Sequence, residues 1–248
     1  MDELPFFTHI PKTAGTAVRK KLLYPNIPVD KRGESQGFRH LLTTNWSGCE
    51  WLEGHFPYGV HRYMRGLDGT PVYFTMLRDP IERAISYYYF IHTCSTKPGD
   101  PYEHPLYSEV QKYDLLAFYA QPQHKNIQTR FLGGCLWHRL RNSRLLAPLD
   151  GWLLETAKDH LRRRYACYGL VDQFNQSLQM FAELFNWSVD LPEKRVKSNP
   201  ERPTKSELST STLVTLREHM HLDVELYRYA VEHFGEQDVF NTLFVENK

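Results

Sequence analysis

Residues 4–16 read Leu4-Pro5-Phe6-Phe7-Thr8-His9-Ile10-Pro11-Lys12-Thr13-Ala14-Gly15-Thr16, and the order of elements in this stretch decides the fold. The run 4–10 is short and apolar, small residues and a turn follow around Gly15, and a helical pattern extends from Thr16 to Leu23. Strand, loop and helix thus come in direct succession. A second unit repeats the order. Val72 to Leu77 is a nearly continuous apolar run between Gly69-Thr70-Pro71 and Arg78-Asp79-Pro80, as suits a strand covered on both faces in a parallel sheet. Asp79 stands as N-cap, Pro80 at the first helical position and Glu82 at the third, a capping-box-like start. Ile81, Ala84, Ile85 and Tyr88 then form one stripe at i, i+3, i+4 and i+7, the face that packs on the sheet; Ser86 lies off it.

Further out, helical patterns cover 105–120, 123–132 and 150–164. Tyr165 to Leu170 reads as a short buried strand, with a helix from Asp172 to Asn186 behind it. Residues 190–206, with Pro192, Pro200 and Pro203, read as an extended loop, and Ser206 to Phe234 as helical. Residues 24–50 show no clear period beyond one short helix near Phe38 to Leu42. Strands alternating with helices predict an α/β three-layer sandwich with a mostly parallel central sheet, whose ligands sit at the carboxyl ends of the strands.

The chain has 248 residues, which suits one domain spanning 1–248. Its 30 Lys+Arg against 29 Asp+Glu argue against a whole-surface polyanion binder, so no nucleic-acid partner is expected. No apolar run approaches the roughly 18 residues of a membrane span. Cys49, Cys94, Cys135 and Cys167 make no C-x-x-C pair and are expected to be reduced thiols, not a zinc site. The opening Met-Asp-Glu lacks the basic residues of a signal peptide, and the expected location is cytoplasmic.

The loop from His9 to Thr16 places a lysine, two hydroxyls and small residues at a helix N-terminus, where free N–H groups and the helix dipole favour an anion. It is not a Walker A loop, which has glycine five residues ahead of its lysine; here Lys12 precedes Gly15. An ordinary strand–helix turn with a surface lysine is the alternative.

With its second unit the chain goes further. Pro11-Lys12-Thr13-Ala14-Gly15-Thr16, preceded by His9-Ile10, resembles the 5′-phosphosulfate loop of sulfotransferases that use 3′-phosphoadenosine 5′-phosphosulfate. Leu77-Arg78-Asp79-Pro80-Ile81-Glu82-Arg83-Ala84-Ile85-Ser86 resembles that family's 3′-phosphate motif, and Tyr87-Tyr88-Tyr89-Phe90 is similar to the heparan sulfate 2-O-sulfotransferase branch. Asn126 to Leu132 and Gly169 to Phe174 also look like family segments, so the resemblance covers most of residues 5–186. It implies a P-loop-like nucleotide-binding fold and sulfuryl transfer to a hydroxylated acceptor, a carbohydrate or glycoside, with adenosine 3′,5′-bisphosphate as product.

The resemblance implies that Lys12 contacts the bridging oxygen and 5′-phosphate while Thr13, Ala14, Gly15, Thr16 and Ala17 surround them with N–H and hydroxyl donors. Arg78, with its planar fork, and Ser86 would grip the 3′-phosphate. Taken singly, an Arg78–Glu82 ion pair and a solvated Ser86 are the alternatives. His55, in Glu53-Gly54-His55-Phe56-Pro57-Tyr58-Gly59, is the expected base, with Glu53 its rival and His9 and His61 weaker. Lys194, Arg195, Lys197, Asn199 and Arg202 resemble a late loop that folds over the donor, and Lys197 and Arg202 are counted with the donor site. No metal is required, because a sulfuryl group carries less charge than a phosphoryl group. Two arginine clusters, Arg139, Arg141 and Arg144 with Arg162, Arg163 and Arg164, and the tryptophans Trp46, Trp51, Trp137 and Trp152 are candidates for a saccharide; core tryptophans and solvated arginines are the plainer reading. An ATP-dependent kinase or nucleotide hydrolase with an atypical loop, and a non-catalytic saccharide-binding protein, stay as the competing classes.

Overall fold

The computed structural model describes residues 3–35, 37–94, 104–135, 149–191 and 202–237. β1 (Glu3–Thr8) leads into α1 (Gly15–Val18), which continues through a π-type turn, Arg19–Leu23, to a last turn at Tyr24–Asn26. β2 (Arg32–Glu34), α2 (Phe38–Thr43) and β3 (Trp51–Gly54) follow, then β4 (Thr70–Leu77) and α3 (Pro80–Cys94). The remaining elements are α4 (Tyr107–Lys112), α5 (Leu115–Ala120), α6 (Ile127–Gly133), α7 (Asp150–Arg163), β5 (Tyr165–Leu170), α8 (Phe174–Phe185), α9 (Thr210–His219) and α10 (His221–Glu232).

The five strands form one parallel sheet in the order β2-β3-β1-β4-β5. Alternation along β1 explains how both of its faces are filled. Leu4 and Phe6 point into a core shared with Phe131 and Leu132 of α6, Ala157 and Leu161 of α7 and Leu226 of α10. Phe7 points the other way, into a core with Val18, Leu22, Phe74, Leu178 and Phe181. Helices therefore cover both faces, which gives the three layers expected. Burying each such phenylalanine contributes about 1.5–3 kcal/mol, so the middle of the sheet is a rigid platform for whatever leaves its carboxyl edge.

The second unit forms as its sequence dictates. Asp79 Oδ1 accepts from the N–H groups of Ile81 at 3.0 Å and Glu82 at 2.9 Å, and Ile81, Ala84, Ile85 and Tyr88 are buried in a third core between α3, α5 and α9. Other segments differ from expectation. β2 and β3 lie in sequence that shows no strand pattern, because one is three residues long and the other, of four, buries the carboxyl of Glu53. The helical stretch 105–120 is two helices, since Asp114 starts a new one by accepting from Ala117 N–H at 2.8 Å. The tail is likewise two helices that meet at Met220. His9 and Ile10 belong to the loop, not to β1. Trp46 (3% exposed) and Trp51 (0%) are core residues, which removes them as sugar platforms, whereas Trp152 is 75% exposed. Trp137, Arg139, Arg141 and Arg144 lie outside the described residues.

Candidate active site

Three adjacent strands in the middle of the sheet each release part of one cleft: β1 the loop 9–14, β3 His55, and β4 Arg78. This is where a parallel sheet presents its ligand crevice. The loop turns tightly because two non-glycine residues, Lys12 (φ 69°) and Ala14 (φ 64°), take left-handed backbone conformations. Its tip is pinned by Thr13, fully buried, whose hydroxyl donates to Ile10 O at 2.8 Å. That hydroxyl hydrogen is thus committed to the loop. The Ala17 N–H is likewise engaged within the loop, by Ala14 O at 2.9 Å. The N–H groups of Gly15 and Thr16 have no hydrogen-bond partner among the described residues, as the start of a helix dictates. Lys12 Nζ lies 3.9 Å from the centroid of the Phe90 ring. Burial lowers its pKa, and the positive charges of Arg78 and Arg202 lower it further.

Arg78 faces the same loop: Nη1 donates to Lys12 O at 3.1 Å, and Nη2 to Glu82 Oε2 at 3.3 Å. The Glu82 carboxylate therefore does not reach back to complete a capping box. It bridges two arginines instead, because Arg202 Nη2 also donates to it at 2.9 Å. Lys205 pairs with Asp79 Oδ2 at 2.9 Å and stays outside this group. Arg78 and Arg202 thus share one carboxylate, and with the Lys12 ammonium near both they leave an excess of positive charge that suits a multiply charged anion. Ser86, half-buried on the same helix as Glu82, has no hydrogen-bond partner among the described residues. Lys197, like Lys194, Arg195 and Asn199, lies outside them.

At the other end of the loop, His55 Nδ1 lies 2.6 Å from His9 O. A carbonyl only accepts, so Nδ1 carries the proton and Nε2 keeps the lone pair. The ring is exposed on the cleft side, yet the protein around it lowers its pKa; the bond to His9 opposes that shift and the charge of Arg19 adds to it. His9, 4.5 Å away ring to ring, is held down to about 3 by burial, with His55, Arg19 and Lys12 adding to the effect. Glu53 is placed differently. It is 2% exposed and pairs with Arg19 at 2.9 Å. Burial outweighs the Arg19 guanidinium and pushes its carboxyl up to about 8, and its second oxygen is buried without a partner among the described residues. Of the two rivals, His55 alone combines exposure with a defined lone pair.

Two neighbours carried no signal in the sequence. Arg19 enters through a helical turn and an ion pair across the sheet. His104 lies edge-on to Tyr87 and Phe90, the ring that holds Lys12, and accepts Leu106 N–H at Nδ1 (3.1 Å). Arg162 and Arg163 are exposed and pair with Asp159 on the surface of α7, where such pairs contribute little.

A parallel sheet that gathers cations and a neutral imidazole at its carboxyl edge is built as an α/β group-transfer enzyme for anionic ligands. The chain belongs to the sulfotransferase family, whose model matches residues 6–230, and it is an enzyme of that class. It is 24% identical over 265 residues to heparan sulfate 2-O-sulfotransferase 1 of Mus musculus, covering 94% of this chain and 71% of that protein. It is 26% identical over 290 residues to heparan-sulfate 6-O-sulfotransferase 2 of Danio rerio, covering 96% of this chain and 59% of that protein. The crystal structure of mouse sulfotransferase SULT7A1 complexed with PAP aligns over 95% of this chain and 84% of that one, at 12% identity and a TM-score of 0.40.

Proposed function

We propose that the chain transfers the sulfuryl group of 3′-phosphoadenosine 5′-phosphosulfate to a hydroxyl of a carbohydrate or glycoside, with His55 as base. One observation carries the reading. A single loop grips both ends of the reaction through its carbonyls: His9 O fixes His55, and Lys12 O fixes Arg78. The charged groups fit the donor. The free N–H groups of Gly15 and Thr16 and the Lys12 ammonium suit its 5′ end; the Arg78 fork, Ser86 and Arg202 suit a 3′-phosphate. The heparan sulfate sulfotransferases among its relatives support a saccharide acceptor.

The donor supplies an activated sulfuryl group and a phosphate leaving group. His55 Nε2 takes the acceptor hydroxyl proton; the His9 carbonyl keeps the imidazole in the tautomer that can do so and stabilises the imidazolium formed. Lys12 and the α1 N-terminus stabilise the charge that develops on the departing oxygen. The Phe90 face holds the ammonium in the cleft, an attraction of about 0.5–1 kcal/mol at exposed sites that a bound dianion outweighs.

The discriminating experiment is thermal unfolding with adenosine 3′,5′-bisphosphate or with ATP and Mg²⁺, where a ligand at 100 times its Kd adds about 2.7 kcal/mol. Stabilisation by the bisphosphate, followed by sulfate incorporation into desulfated heparan-type oligosaccharides or simple glycosides, is expected. Preference for ATP with Mg²⁺ would sink the reading in favour of a kinase; glycan binding without turnover would reduce the protein to a saccharide binder.

A further inference from the structure

Arg78 is held at its root from outside its own strand. Gln128, on α6, is 1% exposed; its amide oxygen accepts Arg78 N–H at 3.0 Å and its amide nitrogen donates to Arg78 O at 2.9 Å. One planar side chain satisfies both main-chain groups of the residue just past the point where the β4–β5 ladder ends, at Leu77 opposite Leu170. The amide can make both bonds in only one orientation.

Gln128 is itself fixed. Its N–H donates to Asp223 Oδ2 at 3.2 Å, while the N–H and hydroxyl of Thr129 donate to Oδ1 at 2.8 and 2.7 Å. In return, Asn126 Oδ1 accepts the N–H groups of Leu222 (3.1 Å) and Asp223 (3.3 Å). The starts of α6 and α10 therefore cap one another. Asn126, Gln128, Thr129 and Asp223 are all buried, so water does not compete for these bonds.

We infer that Gln128 is a positioning residue that aims Arg78 at the 3′-phosphate of the donor, with Asp223 holding Gln128 in register. This rests on the reading of Arg78 given above. The Arg78 side chain is held at its tip by Lys12 O and Glu82 and at its root by Gln128. Without the amide, two main-chain groups lose their partners and the peptide turns to find others, carrying the guanidinium with it.

The test is calorimetric titration of adenosine 3′,5′-bisphosphate and of adenosine 5′-monophosphate, which lacks the 3′-phosphate, into the wild type, Gln128→Met and Gln128→Glu. The wild type should favour the bisphosphate. Gln128→Met should weaken bisphosphate binding about tenfold and the monophosphate by a clearly smaller factor. Gln128→Glu provides a graded control. A neutral carboxyl offers one acceptor and one donor, as the amide does, so the preference should return at low pH and fade as the introduced carboxyl ionises, against wild type at each pH. A merely structural role moves both nucleotides together and shows no such dependence. If Gln128→Met keeps the wild-type ratio of the two affinities, or loses both equally, the inference is wrong. If the wild type itself binds both nucleotides alike, the Arg78 reading fails first, and the wild-type titration alone reveals it. Should Gln128→Met not fold, the pH series on Gln128→Glu decides.

Discussion

Gly15→Ala tests the link between the phosphate loop and the base. Gly15 has ordinary helical backbone, so alanine should favour α1 by propensity alone. The surroundings forbid it. A Cβ there would lie 2.0 Å from His9 Nε2, 2.1 Å from Cδ2 and 2.6 Å from Cε1. Ordinary contact is about 3.5 Å, so the imidazole must retreat by about 1.5 Å. It has little room, being stacked on Phe7 at 5.7 Å and set against His55 at 4.5 Å. Any backbone adjustment moves the His9 carbonyl, which anchors His55. Overpacking of this kind costs about 1–3 kcal/mol, and displacing a reacting group by about 1 Å costs on the order of 100-fold in rate. Gly15→Ala should therefore lower the urea midpoint by the equivalent of about 2 kcal/mol and kcat/KM by about 100-fold. Adding His9→Ala vacates the space and should recover about 1–2 kcal/mol, a positive coupling in the double-mutant cycle. Full activity in Gly15→Ala, or strictly additive effects of the two substitutions, would refute the packing argument.

Three other outcomes follow from the site. The lowered pKa of His55 predicts that kcat/KM rises through an ionisation below the ordinary imidazole value of 6.5; a limb centred at or above 6.5 would contradict it, and His55→Ala should abolish transfer. Glu53 binds its proton more tightly folded (about 8) than unfolded (4.5), so its contribution to stability is complete below 4.5 and is lost as pH rises to about 8. Glu53→Gln should remove that slope from urea midpoints taken at several pH values and keep turnover; loss of turnover would promote Glu53 to base. Arg83 is fully buried, and among the described residues its three guanidinium nitrogens make no hydrogen bond of good geometry, although the guanidinium lies close enough to the Tyr119 hydroxyl to oppose the rise that burial gives that phenol's pKa. Arg83→Met should be neutral or stabilising, by up to about 4 kcal/mol, in a melting experiment; a large destabilisation would mean that the guanidinium is satisfied in solution.

What the sequence carried was local. The lysine loop and the Asp79 start were legible because a strand, a turn and a cap leave their marks within ten residues of one another. β2 and β3 were not, because three- and four-residue strands are too short to show a period, and Glu53 interrupts the one apolar run there. The Arg78–Glu82 pair, the alternative to phosphate binding, exists, but Arg202, 120 residues beyond Glu82, shares the same carboxylate, so the pair is part of a larger positive cluster. Asp223 and Gln128 are 95 residues apart, and His104 meets Phe90 only through the fold. None of these contacts has a sequence pattern to betray it.

The loop also shows why binding and catalysis are hard to separate here. A left-handed backbone at Lys12 and at Ala14 costs roughly 1 kcal/mol or more apiece for a residue with a side chain. A hydrogen bond from a charged donor to a carbonyl contributes about 1.5–3 kcal/mol, so the Arg78 bond to Lys12 O is large enough to offset the strain at Lys12. Arg78 thereby stabilises the loop conformation that presents the Gly15 and Thr16 N–H groups, besides offering its own fork to the 3′-phosphate. It follows that Arg78→Ala should weaken even nucleotides that lack a 3′-phosphate, by a smaller factor than the bisphosphate, whereas Gln128→Met, which leaves the Arg78 charge in place, should cost those nucleotides less than Arg78→Ala does and act chiefly on the bisphosphate.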